Sequence, residues 1–154
     1  MILLSKMADY GVIVMVRLAS SPDRQINAVT LADDTHLSEA TVAKVLKSLT
    51  RSGLVASTRG PTGGYHLART ASAITVAEIV AAIDGPFGVT ECTSNEDACD
   101  RVAFCTTKPA WNRINTAINA ALSSVSLAEM TPARDRFMAA PLPHETSTLE
   151  SFSV

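Results

Sequence analysis

Residues 54–67 constrain this chain more than any other stretch. Leu54-Val55-Ala56-Ser57 and Tyr65-His66-Leu67 read as short strands, and between them lies Arg59-Gly60-Pro61-Thr62-Gly63-Gly64, a turn dense in the residues that reverse a chain. The expectation is a two-stranded ribbon. A ribbon this short is not stable alone in water and must lean on other elements. Those elements are helical: aromatic residues are only 5% of the chain, and alanine and aliphatic residues carry most of its 47% apolar content, a composition that favours helices over packed sheets and excludes global disorder. The fold class expected is mainly α.

The helices can be placed by their periodicity and punctuation. Residues 5–20 carry Met7, Tyr10, Val14 and Leu18 on one stripe and Val12, Ile13 and Val16 on the other side, so this helix should be buried on more than one face. A second begins near Thr30, with Thr30 as N-cap and Asp33 completing a capping box. Ser38 caps a third, which turns Val42, Val45, Leu46 and Leu49 inward and stops at Gly53. A fourth spans about 75–84, opened by a Thr75…Glu78 capping box and closed by Gly85-Pro86. Residues 86–109 have no usable periodicity. Residues 110–124 form a long helix striped with Trp111, Ile114, Ile118, Ala121, Leu122 and Val125, suited to a second copy of the chain. Ser126…Glu129 reads as a last capping box, and from Pro132 onward a frayed tail is expected. The division that follows is a winged helix-turn-helix domain over 1–85, a cysteine loop over 86–109, a dimerisation helix over 110–131 and a tail over 132–154.

Two short helices and a tight turn, followed by the ribbon, have the outline of a helix-turn-helix with a wing. Turned outward on the third helix are Ser38, Thr41, Lys44, Lys47 and Ser48, with Arg51 at its end. Such residues bond to phosphates and base edges, although a solvated surface helix has the same composition. Arg59 stands before the glycine-rich tip, where it can enter a minor groove. Gly60, Gly63 and Gly64 would let the backbone approach phosphates or simply satisfy the turn, and Tyr65 opens the returning strand. Charge is distributed accordingly: residues 1–69 hold eight Lys/Arg against five Asp/Glu, a net of +3, and residues 70–154 hold five against ten, a net of -5. The partner expected is a double-stranded DNA operator. No acid–base or nucleophilic constellation argues for an enzyme. The apolar run from Tyr10 to Ala19 is broken by Arg17 and too short for a membrane span, so the expected location is the cytoplasm.

All three cysteines fall in Cys92…Cys99…Cys105, C-x6-C-x5-C, among Asp, Glu and Asn. Buried structural cysteines would occupy apolar periodic positions. A zinc site would show a CxxC knuckle and four ligands. Thiolates in a polar loop suit an iron–sulfur cluster, with zinc or metal-free redox thiols as alternatives. Three thiols leave one coordination position open, and His36, His66 and His144 are remote in sequence. Asp9 stands on an otherwise apolar face of the first helix, where a buried carboxylate is costly unless paired or ligating; the plainer reading is a partly exposed residue bonded to Lys6.

Taken together, Leu4-Ser5-Lys6…Asp9-Tyr10-Gly11, Leu54-Val55…Arg59-Gly60-Pro61-Thr62-Gly63-Gly64-Tyr65, Val76-Ala77-Glu78-Ile79…Ile83-Asp84-Gly85, the three cysteines and Trp111-Asn112-Arg113-Ile114 resemble the Rrf-type family of bacterial regulators, which includes IscR, the nitric-oxide sensor NsrR and the SUF-operon regulators. The resemblance spans roughly residues 3–130. Thr90-Glu91-Cys92 and Leu127-Ala128-Glu129-Met130 look most like the SUF-operon members. What the resemblance implies is a homodimer on palindromic operators, sensing iron–sulfur status, redox stress or nitric oxide through a 2Fe-2S or 4Fe-4S cluster on Cys92, Cys99 and Cys105. IscR-like members place a histidine three residues after the last cysteine, where this chain has Lys108. NsrR-like members take the fourth ligand from an aspartate of the opposite subunit's first helix, and Asp9 matches that position. The function implied is control of iron–sulfur assembly genes, the alternatives being a metal-free cysteine switch or an NsrR-like nitric-oxide-responsive repressor.

Overall fold

The computed structural model describes residues 4–94 and 104–132; Cys99 and the tail from 133 lie outside the described residues. The architecture is a mainly α winged helix-turn-helix with a two-stranded wing and a helical C-terminal region. Its elements run α1 (Lys6–Ala19), α2 (Ala28–Thr35), α3 (Glu39–Arg51), β1 (Val55–Thr58), β2 (Gly64–Leu67), a 3-10 turn at Ala71–Ala73, α4 (Val76–Asp84), the single-turn helix α5 (Glu91–Ser94), α6 (Lys108–Ser124) and the single-turn helix α7 (Leu127–Met130).

Local chemistry accounts for most of these boundaries. Ser5, Ser38, Thr75 and Ser126 each accept a hydrogen bond from the backbone N–H three residues on, and capping boxes form at Thr75–Glu78 and Ser126–Glu129. The N–H groups of the first turn thereby find acceptors, at about 0.5–2 kcal/mol per cap. The Thr75 backbone N–H and then Arg69 hold the Glu78 carboxyl below its usual range. The second helix departs from expectation. It begins at Ala28, not near Thr30, and its N-cap is Asn27, whose Oδ1 accepts from the Thr30 N–H at 2.8 Å. Extended backbone at Asn27 lets its short amide reach the helix end, so Thr30 is already inside and no Thr30–Asp33 box forms. The helix ends at His36 in the left-handed conformation (φ 55), with the His36 N–H bonded to Asp33 O and the Leu37 N–H to Ala32 O. This Schellman closure makes the tight turn into α3.

The main core of the domain joins Val14, Met15 and Leu18 of α1, Leu31 of α2, Val42, Val45, Leu46 and Leu49 of α3, Leu54 and Val55 at the wing base, and Ile74, Ile79 and Leu127. A smaller cluster of Ala8, Val76 and Val80 packs against Leu122 and Val125. The helix α1 is buried at Ala8, Gly11, Val12, Val14, Met15 and Leu18, yet Ile13 is exposed, so its outer edge is left uncovered. Gly11 permits a close crossing with α4, since a Cβ there would stand 2.9 Å from Ile83 Cγ1. The wing pairs antiparallel, Val55 opposite Leu67 and Thr58 opposite Gly64. It is pinned to the approach to α2 by reciprocal bonds between Ile26 and Tyr65 (3.0 and 2.8 Å) and by Gln25 Nε2 donating to Thr58 Oγ1 at 3.1 Å.

After α6 the chain returns to the winged domain. The Val76 N–H donates to Val125 O (3.0 Å) and the Leu127 N–H to Ile74 O (2.8 Å), and Leu127 is fully buried in the main core. This clip fastens α6 to the start of α4. Replacing Leu127 with alanine should lower the unfolding free energy by about 2–5 kcal/mol, measured by urea denaturation; a loss below about 1 kcal/mol would mean the clip is not part of the cooperative core.

Candidate nucleic-acid interface and cysteine segment

The helix α3 is held by its buried face, and the strand β1 leaves directly from its end, with the Leu54 N–H bonded to Leu49 O at 3.0 Å. Helix and wing are therefore one rigid connection. Lys44, Lys47 and Arg51 are exposed on α3, and Arg59 is exposed on the wing. Among the described residues the ion pairs are Arg17–Asp34 (2.7 Å) and Arg69–Glu78 (2.6 Å), so none of these four cations is neutralised by a described carboxylate. Ser48 and Thr41 are half-buried. The Ser38 hydroxyl accepts from the Thr41 N–H at 3.2 Å and lies 2.8 Å from Thr41 Oγ1, which commits both hydroxyls to the helix cap.

The wing glycines have reasons internal to the wing. Gly60 has φ 122, a Cβ at Gly63 would stand 2.2 Å from Thr58 O, and one at Gly64 would stand 2.8 Å from the Ile26 backbone. Turn geometry and close strand approach thus suffice to explain them. Tyr65 is half-buried against the core, where its backbone pairs with Ile26.

The cysteine segment starts where α4 ends. Gly85, with φ 87, redirects the chain, and α6 then holds the following residues: Asn115 Oδ1 accepts from the Val89 N–H at 3.2 Å, and Asn119 Nδ2 reaches Phe87 O at 3.5 Å. Cys92 is buried on α5, its Sγ 3.2 Å from Thr90 Oγ1. Cys105 lies ahead of the α6 N-terminus with its Sγ 3.3 Å from Thr107 Oγ1. The Thr107 hydroxyl, the backbone N–H groups of Thr107 and Lys108 and the Lys108 charge together hold the Cys105 thiol below its usual pKa, which favours the thiolate that ligates metals and attacks oxidants. Both described cysteines are free thiols. Soft sulfur donors with hydroxyls beside them fit an iron–sulfur cluster, whose sulfurs accept such bonds.

Asp9 is exposed on α1. The burial cost expected at this position does not arise in the protomer, because the outer edge of α1 is uncovered, and no Lys6–Asp9 ion pair forms among the described residues. Nor do Asp9, Cys92 and Cys105 gather in one protomer: among the described residues no three His, Cys, Asp or Glu side chains lie close enough to share a metal. The Ser5 hydroxyl does donate to Asp84 Oδ1 at 2.7 Å, joining the start of α1 to the end of α4 where the cysteine segment departs.

Sequence reading did not single out Asn115 and Asn119 or Gln25 and Ile26. The two asparagines leave a trace, as polar residues four apart on an otherwise apolar stripe. Gln25 and Ile26 leave none, because their partners are more than thirty residues away.

Residues 4–133 match the Rrf2 family, described as an iron-dependent transcriptional regulator. The chain is 31% identical over 133 residues to the HTH-type transcriptional regulator IscR of Yersinia pestis, covering 86% of this chain and 80% of that protein. It is 32% identical over 128 residues to IscR of Photorhabdus laumondii, covering 82% and 77%. Among solved structures, CymR, the global cysteine regulator of B. subtilis, is similar with a TM-score of 0.68 at 27% identity, over 84% of this chain and 96% of that one. The T. potens IscR structure is similar with a TM-score of 0.65 at 29% identity, over 84% and 85%.

Proposed function

The chain belongs to the Rrf2 family of iron-dependent transcriptional regulators, and from that premise we propose that it is a homodimeric DNA-binding regulator that senses iron–sulfur or redox status and controls iron–sulfur assembly genes. On this reading α3 enters the major groove through Lys44, Lys47 and Arg51, with Arg59 of the wing over the adjacent minor groove. Cys92, Cys99 and Cys105 hold the cluster, 2Fe-2S or 4Fe-4S, and Asp9 of the partner subunit supplies the fourth ligand. The cluster, when bound, supplies an oxidisable and nitric-oxide-reactive group.

The observation that carries this reading is the double attachment of α6. Asn115 and Asn119 tie it to the cysteine segment, and the Val125–Leu127 clip ties it to the start of α4. A change in how the cysteines are held therefore reaches the winged domain through one helix, and a few kcal/mol of differential binding is enough to shift the spacing of two recognition helices. The deciding measurement is the iron and sulfide content of protein purified without oxygen from iron-replete cells. A second reading, a metal-free thiol switch, draws support from the lowered pKa of the accessible Cys105 thiol; it expects colourless protein whose operator affinity changes on thiol oxidation.

Dimerisation through α6 has its own support. No residue of this helix is buried within the protomer, and Trp111 and Ile114 remain 36% and 42% exposed. An apolar stripe of this kind calls for a covering surface. Light scattering at micromolar concentration should report a dimer for the wild type and a monomer for Ile114→Asp; a monomeric wild type would remove this part of the proposal.

A further inference from the structure

We propose that Glu39 reads a base: its carboxylate accepts a hydrogen bond from the exocyclic amino group of a cytosine in the major groove of each operator half-site. This rests on the DNA-binding reading above and adds a specificity determinant to it. In helix-turn-helix proteins the first residues of the recognition helix meet base edges. At that end of α3 the polar side chains are Ser38, Glu39 and Thr41. Ser38 and Thr41 are spent on each other and on the cap. Ala40 and Ala43, also exposed, offer no hydrogen-bonding group. Glu39 is exposed and has no hydrogen bond or ion pair among the described residues.

Charge points the same way. Glu39 is the sole carboxylate of α3, on a helix that also carries Lys44, Lys47 and Arg51. A negative group brought against phosphates opposes binding to every sequence alike. It becomes favourable where a donor meets it, and cytosine N4 is the major-groove donor that pairs with a carboxylate. Favourable interaction with the α3 dipole explains how the free protein tolerates Glu39, but it predicts no dependence on DNA sequence.

The test is selection from a duplex pool randomised across the half-site, at fixed salt, with the wild type, Glu39→Ala and Glu39→Gln. The wild type should select a C·G pair at one position per half-site. Glu39→Ala should lose that preference, a discrimination of about tenfold to a hundredfold, while binding other sequences as well or better. Glu39→Gln should move the preference toward adenine, whose N6 and N7 suit a carboxamide. The same consensus from all three proteins would overturn the proposal. So would a uniform loss of affinity together with a lower melting temperature, which would make Glu39 a helix-stabilising residue only. A wild type that selects no sequence at all defeats the DNA-binding reading, and this proposal with it.

Discussion

Anaerobically purified wild-type protein is expected to be coloured and to hold iron and acid-labile sulfide, and replacing any one of Cys92, Cys99 or Cys105 with alanine should abolish both. The effect is all-or-none because a cluster bound by three thiolates and one weaker ligand does not survive with two thiolates. The flanking hydroxyls make a milder prediction within the same series: removing Thr107, which bonds the Cys105 sulfur, should leave the iron in place and shift the reduction potential, since hydrogen bonds to sulfur tune it. Asp9→Ala should retain the colour but change the resonance Raman and Mössbauer signatures of a unique iron site. Identical spectra would remove Asp9 alone and pass the assignment to Glu91, Glu96, Asp97 or a non-protein ligand. Iron-free, colourless wild type would defeat the cluster and leave the thiol switch.

The second large effect concerns DNA. Replacing Lys44, Lys47 and Arg59 together with alanine should weaken operator binding by about a hundredfold or more at physiological salt and flatten the slope of log K against log salt by about 3, roughly one unit for each phosphate that is no longer neutralised. All three side chains are exposed, and none is ion-paired to a described residue. Circular dichroism and melting temperature should therefore stay within the small range of surface substitutions. Unchanged affinity and slope would show that α3 and the wing do not meet DNA. Removal of Arg51, at the end of α3 nearest the wing, is expected to weaken binding further.

Much of the fold could be read along the chain because its signals are short-range. Ser38, Thr75 and Ser126 act on N–H groups three residues away, and the strand–turn–strand pattern of the wing is complete within about fourteen residues. The start of α2 escapes such a reading for a definite reason. Asn27 and Thr30 are both competent caps, and which one is used depends on where the backbone turns helical. That turning point is set in part by Ile26 pairing with Tyr65, a contact across the whole helix-turn-helix.

The candidate site divides in the same way. Cysteine spacing marks Cys92, Cys99 and Cys105 as candidate ligands, and residue type marks Lys44, Lys47 and Arg59 as candidates to face phosphates. Both signals lie in residue type and order, which fold geometry does not alter. Which of the two readings of Asp9 holds could not be decided from its neighbours, because helical periodicity shows that α1 has apolar faces but not which of them another element covers. The structure covers those carrying Ala8, Met15 and Leu18 and leaves Asp9 and Ile13 outside.

From the sequence alone came the types of the main helices, the caps at Ser38, Thr75 and Ser126 and the wing, all governed by interactions within a turn or two of chain. Only the tertiary structure decided that Gln25 and Ile26 hold the wing, that Asn115 and Asn119 hold the cysteine segment, and that Leu127 carries the end of α6 back into the core. Each of these joins segments tens of residues apart. Such contacts are selected by the packing of the whole domain, where one buried leucine or one satisfied amide chooses among arrangements that local preference leaves equal.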